Sequence, residues 1–150
     1  MILYLDTSAL VKLIIREDGT ADAVAWFERA DLIASSVITY AEACSALGQN
    51  DRRRAGTPSR LSEWLIALDE HWREVMRVPV AEWPAGKLAL AHGLRGMDAV
   101  QLAAAITLRE STVLPYSFTV PSTVITLNQS GPLPDAPVEL IVLKSAISLL

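Results

Sequence analysis

At 150 residues, 51% hydrophobic and 20% charged, with no Gly/Ser-rich or Pro-x-x-Pro linker, the chain reads as a single domain over residues 1–150 that can bury a real core. Its apolar runs stop well short of the roughly 18 residues of a membrane helix, no basic leader precedes the first apolar run, and the lone Cys44 cannot close an internal disulfide, so we expect no membrane span and a cytoplasmic location. The net charge of -4 repels nucleic acid unless basicity is local, and one Cys with two His (His71 and His92) lacks zinc spacing, so any metal should be oxygen-bound.

The first stretch, Ile2-Leu3-Tyr4-Leu5, reads as a short strand buried on both faces, and Asp6-Thr7-Ser8 then turns into a helix from Ala9 to Arg16. An acid therefore stands at the carboxyl end of a buried strand, the edge where open α/β sheets bind ligands. Asp6 is also a good helix N-cap, and that reading stays open beside the chemical one. A second helix is expected over Ala21 to Ala30, with Val24 and Phe27 on one face, and a second strand over Leu32 to Ala34. Thr39 and Glu42 have the spacing of a capping box, opening a helix whose inner face is Tyr40, Ala43, Cys44 and Leu47. After the break at Gly56-Thr57-Pro58-Ser59, Leu61, Trp64, Leu65, Leu68 and Trp72 form one helical stripe, beside which His71 reads as structural. Val75 to Val80 suits an edge strand, because Pro79 cannot donate to a central ladder. A helix from about Ala85 should end at His92 and Gly93. Gly96, Asp98 and Gln101 then predict a turn, a cap and its capping-box partner before an Ala-rich helix. Five of the eight prolines follow Ser111, with two strands expected at Thr123 to Leu127 and Val138 to Leu143 and no further long helix.

Asp6, Glu42 and Asp98 thus stand at three helix starts. If those helices radiate from one edge of a parallel sheet, the carboxylates converge and repel unless a cation neutralises them. Mg²⁺ or Mn²⁺ suits such a site, since hard ions take oxygen ligands and retain waters that can serve as nucleophile in phosphodiester hydrolysis. Arg52-Arg53-Arg54 is the only dense basic run, with Arg73, Arg77 and Arg95 as possible neighbours after folding.

The stretches Asp6 to Lys12, Thr39 to Glu42 and Leu94 to Ala103 resemble the three acidic motifs of PIN-domain proteins, most nearly the VapC-type toxins of toxin-antitoxin pairs. The resemblance covers residues 1 to about 110 in order. It implies an α/β fold with a doubly wound parallel sheet flanked by helices, and a Mg²⁺- or Mn²⁺-dependent endoribonuclease. It further implies a cognate antitoxin that fills the cleft, an RNA substrate, structured RNA included, and a homodimer. Carried over by motif, Asp6 and Asp98 are the principal metal ligands, Glu42 is a further ligand, and Ser8 steadies the first motif through a hydrogen bond. The family's fourth acid, in a Thr-x-Asp strand end, is replaced here by Thr126-Leu127-Asn128, so Thr126 and Asn128 are supporting residues and the tail over 111–150 is atypical. Asp135 is weighed as a substitute, but its Pro-flanked loop gives no reason to place it in the cleft. Arg52, Arg53, Arg54 and Arg95 are the candidate RNA-phosphate contacts.

Two other readings compete. The missing fourth acid favours a catalytically degenerate module that binds antitoxin or RNA without cleaving. Leu3-Tyr4-Leu5-Asp6 also resembles the nucleophile strand of haloacid-dehalogenase-like phosphotransferases, but that chemistry wants an acid at position 8, which is serine.

Overall fold

In the computed structural model, which describes residues 1–111, 116–117 and 138–143, the opening apolar run forms strand β1, Ile2–Leu5, with all four residues buried. It lies at the centre of a five-stranded sheet. The other strands are β2 (Leu32–Ser36), β3 (Val75–Val78), β4 (Tyr116–Ser117) and β5 (Val138–Leu143), in the order β3-β2-β1-β5-β4. Every neighbouring pair is parallel, with Leu3 opposite Ile33 on one side and Ile141 on the other. The chain builds outward from β1 to β3 and then crosses to the far side of β1. That reversal makes the carboxyl end of β1 the switch point at which such sheets open a crevice.

Strand period sorts the side chains between two faces. On one face Leu3, Leu5, Ile33 and Val75 pack with Leu10, Leu47, Trp64 and Leu68. The covering helices are α1 (Thr7–Lys12), α2 (Thr20–Arg29), α3 (Thr39–Arg53) and α4 (Leu61–Glu74). The expected stripe on α4 is the packed one, and His71 meets the Phe27 ring edge-on at 5.2 Å between centroids. On the other face Ile2, Tyr4, Ala34 and Val78 meet Ala104, Ala105 and Leu108 of α6 (Gly96–Ser111). Helix α5 (Glu82–His92) lies against α6 through Ala85, Ala99 and Ala103. β3 stops before Pro79 and occupies the sheet edge, as that proline requires.

Several helix starts differ from the sequence expectation. α1 begins at Thr7, not Ala9, because Asp6 caps it, and it ends at Lys12 rather than Arg16. α5 begins at Glu82, three residues before Ala85; Pro84 falls in its first turn, where a missing N–H breaks no helical bond. Its expected end holds, with Gly93 at φ 60° closing the helix in the left-handed conformation. Neither capping box forms. α3 has Ile38 at its N-cap with no side-chain bond, and α6 starts at Gly96, which puts Asp98 inside the first turn. Thr39, Glu42 and Gln101 instead bond to one another and to β1 and its turn, because tertiary donors and acceptors compete with local caps for the same atoms.

β5 occupies the expected residues, whereas β4 is only two residues long and carried no periodic signal. The expected strand at Thr123 to Leu127 lies outside the described residues, as do Thr126, Asn128 and Asp135.

Candidate active site

Asp6 is only 8% exposed, at the point where β1 hands over to α1. Its Oδ1 accepts from the Ala9 backbone N–H at 2.8 Å and from the Ser8 hydroxyl at 2.7 Å. The capping reading of this acid is therefore the one its hydrogen bonds bear out. One carboxylate oxygen satisfies the helix start, where the dipole also favours a negative charge.

Glu42 reaches the same turn from α3. Its Oε2 accepts from the Thr7 hydroxyl at 2.5 Å and from the Gln101 side-chain N–H at 2.9 Å. Gln101 comes from α6 and also donates to Thr39 Oγ1 at 3.0 Å, while its Oε1 accepts from the Tyr4 hydroxyl at 2.8 Å. Ser35 completes the cluster, donating to the Leu5 carbonyl at 2.6 Å and sharing a hydrogen bond with Thr39 at 2.7 Å. The Tyr4 hydroxyl is pushed far above the ordinary tyrosine range, first by burial and then by the negative charges of Asp6 and Glu42, against a lowering backbone bond from Ser36. Both carboxylates thus act on one buried hydroxyl.

Asp98 lies three residues before Gln101 on α6, a rise of about 4.5 Å along the helix. Thr7, beside Asp6, and Gln101, one turn from Asp98, both bond Glu42, so the three acidic stretches meet at one sheet edge. Their carboxylates do not form a ready-made ligand cage. Among the described residues, no three His, Cys, Asp or Glu side chains are grouped so as to hold a metal ion. Glu42 Oε2 is held by two neutral donors, the Thr7 hydroxyl and the Gln101 amide. The available donors are still all oxygens, which fits a hard divalent ion that keeps several waters and needs few direct side-chain ligands.

The arginines separate. Arg52 and Arg53 close α3 and Arg54 is its C-cap, so the run begins ten residues beyond Glu42, about 15 Å along the helix axis. α3 is a single 15-residue helix that carries them away from its acidic end. Arg54 stands over the Trp64 ring instead, at 5.8 Å. Arg95, in contrast, adjoins α6 and its carbonyl accepts the Ala99 N–H at 2.9 Å, which keeps it beside Asp98.

Sequence reasoning assigned Gln101 to a local cap and gave Tyr4 and Thr7 no role of their own. The available signal was one long polar side chain inside the otherwise apolar run Ala99 to Ile106. A polar group on such a helix is bought only with partners elsewhere in the fold.

The PIN domain family model matches residues 3–114. Two curated relatives, ribonucleases VapC45 and VapC49 of Mycobacterium tuberculosis strains, are each 38% identical over 108 residues, covering 70% of this chain and 75% of the relative. The crystal structure of M. tuberculosis VapC20, a toxin that cleaves the sarcin-ricin loop, superposes with a TM-score of 0.55 at 17% identity, over 74% of this chain and 84% of that one. VapBC2 from Rickettsia felis, solved on a DNA fragment from its promoter, gives 0.54 at 18% identity over 81% and 87%. At those identities the structures speak for the fold, and the sequence relatives for descent. The chain belongs to the PIN-domain family, and its similarity within that family is to VapC ribonucleases.

Proposed function

We propose that this protein is a Mg²⁺- or Mn²⁺-dependent endoribonuclease, the toxin of a toxin-antitoxin pair. The observation that carries the reading is the bonding of Glu42 by Thr7 and Gln101, which stitches the Asp6, Glu42 and Asp98 stretches into one site at the switch point of the sheet. Asp6 and Asp98 would hold the ion, with Glu42 contributing directly or through water. When bound, the ion supplies positive charge to the phosphodiester and lowers the pKa of water. Ser8 holds Asp6 Oδ1 in place, and Thr7 and Gln101 hold Glu42 as an acceptor in the metal-free protein. Arg95 is the arginine assigned in this reading to substrate phosphate, through the forked donors that suit phosphate oxygens.

The relatives' names support RNA as the substrate, and the VapBC2 assembly supports an antitoxin partner. A homodimer is part of the same reading, and sedimentation of the purified protein tests it. One observation favours the second reading, a module that binds without cleaving: the described carboxylates are not grouped as a three-ligand set.

RNA cleavage by the partner-free protein, run beside Asp98→Asn, separates the two. Cleavage that EDTA abolishes and that Asp98→Asn reduces roughly 100-fold or more supports the nuclease. Folded wild type that leaves several structured RNAs intact in both metals supports the binding module.

A further inference from the structure

Gln101 is a long polar side chain on a helix that otherwise packs alanines against the sheet. A methionine would fill similar volume without polar atoms to satisfy. A glutamate would set two like charges within hydrogen-bond distance. The glutamine instead finds partners for both ends of its amide. The Glu42 carboxylate only accepts, so the amide nitrogen must face it, and the Tyr4 hydroxyl then donates to Gln101 Oε1 at 2.8 Å. That distinguishes oxygen from nitrogen in the amide and leaves Nε2 facing Glu42 Oε2 at 2.9 Å and Thr39 Oγ1 at 3.0 Å. Turned over, the amide would oppose its oxygen to the Glu42 carboxylate and lose the bond it accepts from the Tyr4 hydroxyl.

The consequence falls on Glu42. Thr7 and Gln101 both bond Oε2, whereas Oε1 takes no hydrogen bond from the described residues. We propose that Gln101 is a positioning residue, locked by Tyr4, that holds Glu42 Oε2 and leaves Oε1 as the one oxygen offered to a divalent cation or its water. This rests on Glu42 belonging to the active site. Gln101 touches neither metal nor substrate and acts only through Glu42.

The test is Mn²⁺ affinity, read by electron paramagnetic resonance, for wild type, Gln101→Met, Glu42→Gln and the double variant, with thermal unfolding of each in the metal-free state. Gln101→Met should weaken Mn²⁺ binding roughly 10-fold, the scale at which residues behind a metal ligand act. Added to Glu42→Gln, it should cost no more than about a further twofold, because two changes acting through one group are not additive. Tyr4→Phe keeps the glutamine but frees its amide to turn over, and about a threefold weakening is expected from loss of one hydrogen bond; it carries the test if Gln101→Met does not fold. Wild-type affinity in folded Gln101→Met, or in Tyr4→Phe where Gln101→Met does not fold, multiplying losses in the double variant, or a wild type that binds no Mn²⁺ overturns the proposal. RNA cleavage by the same set is read separately. A fall in kcat with KM unchanged in Gln101→Met agrees with positioning, whereas a wild type that binds Mn²⁺ yet cleaves nothing sinks the nuclease reading and leaves the binding data to decide the role of Gln101.

Discussion

The two faces of the sheet are built from different material. One is filled by Leu10, Leu47, Trp64 and Leu68 from three helices, a thick apolar layer. The other is covered by α6, whose contacts are mainly alanine: Ala104 and Ala105 on the strands, and Ala99 and Ala103 on α5. Small side chains let a helix axis lie closer to what it packs on. The close approach is what allows the amide of Gln101 to reach Tyr4 on the central strand and Glu42 on a helix belonging to the opposite layer. The thick face holds the molecule together, and the thin face brings the site together.

That contrast can be broken from either side. Leu47→Ala opens a cavity in the thick face and should lower stability by about 2–5 kcal/mol in urea titration. It should leave Mn²⁺ binding and RNA cleavage by the folded fraction unchanged, since Leu47 is an apolar side chain of the opposite layer that takes no part in the hydrogen bonds of the site. Ala104→Leu should cost less stability, about 1–3 kcal/mol, yet damage the site more, because any outward shift of α6 separates Gln101 from Glu42. A variant that lost stability without losing Mn²⁺ affinity would show that α6 can give way without moving Gln101.

The arginines sharpen the comparison at smaller scale. Arg95→Ala, on the α6 side, should reduce the slope of log affinity against log salt for RNA by about 1, while neutralising Arg52, Arg53 and Arg54 together should leave it unchanged. An equal loss from the triple variant would place RNA along the far end of α3. The smallest effect belongs to Tyr40, whose hydroxyl donates to Asp69 on the thick side at 2.7 Å and is thereby pushed up to about 12 from the ordinary tyrosine range. Since the folded chain keeps this proton at pH values where the unfolded chain has lost it, the contribution is whole below about pH 10 and fades as pH rises toward 12. Ultraviolet titration of Asp69→Asn should move one tyrosine back toward its ordinary value.

The strand order of the thin half was the least legible part of the chain. β1, β2, β3 and β5 could be read as short apolar runs bounded by turn residues, but a two-residue strand such as β4 has no period to detect. Helix existence was legible throughout residues 1–111, while the starts of α1 and α5 shifted by two or three residues, at Asp6 and near Pro84, where cap chemistry rather than apolar period sets the boundary.

By itself the sequence determined that Asp6 ends a buried strand, that Glu42 and Asp98 lie in the first turns of their helices, and that the chain resembles PIN-domain proteins. These follow from patterns confined to a few consecutive residues. Only the tertiary structure decided that Thr39–Glu42 and Asp98–Gln101 are not capping boxes and that Arg52 to Arg54 sit at the opposite end of α3 from Glu42. Only it joined Tyr4, Gln101 and Glu42, since a hydrogen bond between residues 97 apart in sequence has no local signature and forms only where packing brings its donor and acceptor together.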